Sequence, residues 1–73
     1  MGETEFVLRL DISKMALLKA LTEAEEGLFF MRVDENDKTA RLISSDCMKT
    51  QAETYLTYLA RFLEFKIIDV KHY

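Results

Sequence analysis

The chain has 73 residues, 49% of them hydrophobic, with 10 Lys+Arg against 13 Asp+Glu and a formal net charge of −3. That length holds one core and therefore one domain, 1–73, and its apolar content at low net charge excludes an intrinsically disordered chain. The acidic balance disfavours a nucleic-acid partner, whose usual signature is a basic excess, and a lone Cys47 excludes an internal disulfide.

Alternation of Phe6, Leu8 and Leu10 with Val7 and Arg9 predicts a half-buried strand over Glu5–Leu10. Asp11 or Ser13 then offers an N-cap for a helix with apolar positions Met15, Leu17, Leu18, Leu21 and Ala24. Gly27 supplies the left-handed residue that stops it. The acids Glu23, Glu25 and Glu26 near that end oppose the helix dipole and read as solvated surface. Leu28–Asp34 is a second strand, alternating Phe29, Met31 and Val33 with Phe30 and Arg32. The polar break Glu35-Asn36-Asp37-Lys38 turns it into a hairpin with a third strand, Thr39–Ser44. Ser44, Ser45 and Asp46 are alternative caps for the longest helix, which carries Met48, Ala52, Tyr55, Leu56, Leu59, Phe62 and Leu63 on one stripe. Phe65–Lys71 returns to alternation; Ile68 and Val70 are assigned inward, Ile67 and Asp69 outward, and Phe65 does not fit that register.

The order β, α, β, β, α, β predicts an α+β, ferredoxin-like sandwich. Right-handed crossovers place both helices on one face of a four-stranded antiparallel sheet, in the spatial order fourth, first, third, second strand. The open face then carries Val7, Arg9, Phe30, Arg32, Arg41, Ile43, Ile67 and Asp69, and so every arginine except Arg61. Arginine interleaved with aromatic and β-branched residues is the composition of an interface or an anion-binding surface, which makes Arg9, Phe30, Arg32, Arg41 and Ile43 the candidate site. The competing reading is an ordinary solvated face with arginine stems lying over their neighbours. The second strand is a sheet edge with Phe30 exposed, so edge pairing or face stacking into a homodimer is expected, with an unidentified protein as a further partner.

No constellation for chemistry is found, and the chain is expected to be neither an enzyme nor a carrier of a metal or cofactor. Cys47 falls in the first turn of the second helix, where a thiol pKa is lowered, but a partly buried small residue is the expected role. His72, the sole histidine, is expected to fray and could meet Cys47 only through a tertiary approach. One His and one Cys do not make a zinc site, and Asp34, Glu35 and Asp37 lack the spacing and closing Glu of a calcium loop. Two glycines do not make a phosphate-cradling loop. RNA-recognition domains share this element order and stack bases on the open face, but Thr39-Ala40-Arg41-Leu42-Ile43-Ser44 has no aromatic residue. Polyanion binding by Arg9, Arg32 and Arg41 is the weakest alternative. No apolar run approaches the ~20 residues of a membrane span, and no basic start precedes an apolar stretch. Phe6 stands where a myristoylation signal needs Ser or Thr. A cytoplasmic, membrane-free protein is expected.

Arg9-Leu10-Asp11 leading into a helix, Glu26-Gly27-Leu28 ending it, and the strand Phe29-Phe30-Met31-Arg32-Val33-Asp34 resemble the ACT-like branch of ferredoxin-like folds. Within it, the chain is most similar to a bacterial family of short stand-alone domains of uncharacterised function. The resemblance covers nearly the whole chain. It implies side-by-side dimers and binding of amino-acid-like ligands near the interface by the loop after the first strand, here Asp11, Ile12 and Ser13. That loop lacks the glycine typical of regulatory ACT domains.

Overall fold

The computed structural model describes residues 2–25 and 27–73; Met1 and Glu26, the latter in both the acidic cluster and the helix-ending trio, lie outside them. The elements are β1 (Glu3–Leu10), α1 (Met15–Ala24), β2 (Phe30–Asp34), β3 (Thr39–Ser45), α2 (Lys49–Leu59) and β4 (Phe65–His72), with short 3₁₀ turns Ile12–Lys14 and Asp46–Met48 leading into the two helices. The strands form one sheet in the order β2-β3-β1-β4, and every neighbouring pair is antiparallel. This is the α+β, ferredoxin-like arrangement that the element order predicts.

Phe6, Leu8 and Leu10 of β1, with Ala40 and Leu42 of β3, face Met15 and Leu18 of α1 and Ala52, Leu56 and Leu59 of α2 in a single buried cluster. Phe6 pairs with Leu42 and Leu8 with Ala40, so these side chains project from the same side of the pleat and both helices lie over it. Local chemistry sets the helix ends. The Asp11 carboxylate accepts the Ser13 N–H at 3.1 Å, and Gly27 takes the positive φ of 82° beyond α1. At the second helix the expected cap is absent: Ser45 makes no side-chain cap bond, and Asp46 instead accepts from the Thr4 hydroxyl at 2.9 Å.

Several expectations are corrected by tertiary packing. α2 stops at Leu59, after which tight turns bring Leu63 into the core and leave Phe62 exposed. Leu17 of α1 and Val33 at the hairpin end of β2 are also exposed. Cys47 is exposed rather than partly buried, and lies in the 3₁₀ turn ahead of α2. His72 is not frayed: it pairs with Thr4 in the sheet, and Tyr73 exchanges backbone bonds of 3.1 and 2.9 Å with Glu3. A Cβ on Gly2 would collide with the Tyr73 carbonyl oxygen, so the two chain ends lie in close contact.

The largest correction is in β4. Val7 pairs with Asp69 but Leu8 with Ile67, so Ile68 is an extra residue in a β-bulge. The bulge lets Phe65 and Ile67 on one side of it and Val70 on the other all project toward the helices, although strict alternation would put them on opposite faces. Ile67 therefore takes the helix-side place expected of Ile68 and Val70 keeps that parity, yet both stay exposed and outside the core cluster, and Lys66 moves to the open face opposite Arg9.

Candidate functional site

Strand pairing fixes the open face as a grid. Across β2, β3, β1 and β4 its rows are Asp34, Thr39, Arg9, Lys66; then Arg32, Arg41, Val7, Asp69; then Phe30, Ile43, Glu5, Lys71. The residues expected there, Arg9, Phe30, Arg32, Arg41 and Ile43, are thus brought onto one surface. Two further residues belong with them. Glu5 was legible from its parity with Val7 and Arg9, whereas Lys66 reaches this face only through the bulge.

Two adjoining rows contain like charges directly opposite one another: Arg32 against Arg41, and Arg9 against Lys66. Such pairs are unfavourable in a sheet. The two arginines of the first pair are accommodated differently. Arg41 donates from Nη1 to Glu5 Oε1 at 3.0 Å, the only ion pair among the described residues, and the Glu5 side chain is nearly buried while Arg41 is half exposed. The Tyr73 hydroxyl approaches the same carboxylate oxygen at 3.4 Å. Arg32 lies over the Phe30 ring, 5.7 Å from its centroid, a cation–π contact that leaves its charge unneutralised. Arg9 and Lys66 have no carboxylate partner among the described residues. Phe30 itself is 61% exposed.

The second candidate group divides. Asp11 lines a cleft of about 610 Å³ at one end of the sheet, together with Arg9, Lys38, Glu64, Phe65 and Lys66. Ile12 and Ser13 do not line it, and both are exposed. The Ser13 backbone N–H holds the Asp11 carboxyl below its ordinary pKa, with weaker help from the Ser13 side chain and from Lys38 and Lys14.

A Thr, an Asp and a His meet at the opposite end of β1. Thr4 Oγ1 donates to Asp46 and lies 3.3 Å from His72 Nδ1. Thr4 is fully buried, and a hydroxyl has one proton, which goes here to Asp46. The trio therefore ties β1, β4 and the turn before α2 together and presents no nucleophile to a substrate. His72 is engaged with Thr4 and makes no hydrogen bond to Cys47, whose sulfur contacts the Ser45 hydroxyl at 3.2 Å. Among the described residues, no cluster of His, Cys, Asp and Glu could hold a metal ion, and no helix is long and apolar enough to cross a membrane.

No protein-family model matches this chain, and neither a curated protein nor a solved structure is significantly similar to it.

Replacing Glu5 by Gln leaves Arg41 beside Arg32 without its anion. The variant is expected to lose less than about 1 kcal/mol in urea unfolding at low ionic strength, and the deficit should shrink as salt is added. Because the Asp11 carboxyl titrates lower when folded than when unfolded, its contribution is complete above the ordinary value of about 3.9 and lost as pH falls through the lowered one. Asp11→Asn should therefore flatten the acid limb of a stability-versus-pH curve below about pH 4, and an unchanged limb would show that the cap bond is not formed in solution.

Proposed function

We propose that this chain is a non-enzymatic, homodimeric interaction domain whose open sheet face docks an acidic surface of a protein partner. The observation that carries this reading is the pair of like-charged cross-strand contacts, Arg32 with Arg41 and Arg9 with Lys66, served by a single ion pair among the described residues. A sheet that tolerates this repulsion gains from a counter-charge supplied from outside, and complementary potentials also steer association. Exposed Phe30 beside Arg32 adds an aromatic and arginine anchor of the kind that concentrates interface energy. In this reading the protein is cytoplasmic.

Anisotropy of a fluorescent oligoglutamate peptide checks the proposal. The native protein should bind it with an affinity that falls as salt rises, and the double variant Arg9→Glu, Arg32→Glu should bind at least about tenfold more weakly while keeping its circular dichroism. No binding by native protein at low salt would sink the acidic-partner reading. Tighter binding of a uridine oligonucleotide than of the peptide would replace it with polyanion binding.

A second reading, sensing of a small zwitterion of amino-acid type, is favoured by the cleft at Asp11. There Arg9, Lys38 and Lys66 can receive a carboxylate while Asp11 and Glu64 receive an ammonium group, beside the apolar ring of Phe65. This site agrees with the ACT-like resemblance in using the end of the first strand. Amide shifts of residues 9–13 and 64–66 should move on titration with a ligand amino acid; a full set of amino acids that leaves them unmoved removes this reading.

A further inference from the structure

We infer that the outer edge of β4 is the homodimer seam, pairing antiparallel with β4 of a second copy about a two-fold axis between Ile68 and Asp69. This rests on the homodimeric reading above and adds its geometry. An edge strand leaves a row of backbone donors and acceptors unpaired, and proteins ordinarily protect such edges. β4 is the longer of the two edge strands, Phe65–His72 against Phe30–Asp34 for β2. It also exposes three large aliphatic side chains, Ile67 at 48%, Ile68 at 44% and Val70 at 41%. These side chains sit beside the edge backbone, of which the Val70 N–H already donates to the Asp69 carboxylate at 2.9 Å, so that one occupant can satisfy the remaining groups and cover the side chains.

The sequence of the strand identifies that occupant. A two-fold interface must be self-complementary, and Phe65-Lys66-Ile67-Ile68-Asp69-Val70-Lys71-His72 reads as ring, lysine, β-branched, two central residues, β-branched, lysine, ring from either end. With the axis between Ile68 and Asp69, Phe65 opposes the partner's His72, Lys66 the partner's Lys71, and Ile67 the partner's Val70. The facing parity agrees at each of these positions. Phe65, Ile67, Val70 and His72 pair with helix-side residues of β1, while Lys66 and Lys71 pair with Arg9 and Glu5 on the open face. Without the bulge at Ile68, residues 66 and 71 would lie on opposite faces and the register would not close. The same operation on β2, using its whole length, sets Arg32 against the partner's Arg32 on a strand where it already opposes Arg41. The β4 pairing continues the sheet and keeps each copy's open face on the same side, so the arginine surfaces of two copies become one extended surface.

One contact in this seam is unfavourable. Lys66 meets the partner's Lys71, and the acids of the partner that lie nearest on that face are the Glu5 that opposes that lysine and the Asp69 two residues before it. Lys66→Glu converts this contact into an attraction at both ends of the seam and should tighten the dimer several-fold, an effect that general damage to the fold would not produce.

The assembly is tested by sedimentation equilibrium of the full chain across a concentration series, together with oxidative cross-linking in a Cys47→Ser background. Native protein should sediment at twice its 8.5 kDa mass, Ile67→Lys with Val70→Lys should sediment as a folded monomer, and Ile67→Cys with Val70→Cys should cross-link to dimers. Positions 67 and 70 lie roughly 10 Å apart along one strand, too far for a disulfide within a chain. A dimer that resists cross-linking at 67 and 70 but cross-links through Arg32→Cys overturns the β4 seam and leaves the homodimer reading standing. A monomer at every concentration overturns both.

Discussion

β1 occupies the centre of the sheet and is buried on both of its faces. Phe6, Leu8 and Leu10 enter the core, while Glu5 and Val7 are covered on the side that carries no helix. A strand bonded along both edges has no freedom to shift register, because a slip of one residue would exchange its core and open-face side chains. Everything else is fitted to it. β3 supplies Leu42 and Ala40 on one side and Arg41 on the other; β4 must match the same strand along its opposite edge. Glu5, nearly buried, is acceptable there because Arg41 reaches it from the neighbouring strand.

The bulge at Ile68 is how β4 meets that demand. Its apolar residues do not follow one parity, and inserting one residue into the ladder directs Phe65, Ile67 and Val70 to the helix side together. A consequence appears on the opposite face, where Lys66 is brought against Arg9. The cationic character of the open face is thus partly a by-product of packing on the core side, and this couples the candidate site to the sheet's edge. At the far end of β1, Thr4 and its contacts with Asp46 and His72 close the same strand pair, with the two chain ends bonded side by side.

The charge arrangement of the open face does not follow from the net charge. The chain is acidic overall, yet its acids lie largely on helices and turns, and the open face concentrates arginine next to exposed Phe30. Association through such a surface is governed by local potential. A seam along β4 would join two of these surfaces without covering either, giving a partner twice the contact area and the advantage of bivalence.

By itself the sequence determined the order and type of the elements, the helix faces that enter the core through Leu18, Ala52, Leu56 and Leu59, and the placement of Arg9, Phe30, Arg32, Arg41 and Ile43 on one sheet face. These follow from periods of about 3.6 and 2 residues, which are local properties of backbone geometry. The hairpin, too, was legible in its turn residues. Only the tertiary structure decided that Arg41 is bound to Glu5, that Asp46 serves Thr4 instead of capping α2, and that Lys66 faces Arg9 across a bulge. Each of those depends on which strands become neighbours and in what register. That choice is made by burial of side chains distant in sequence, and no local pattern encodes it.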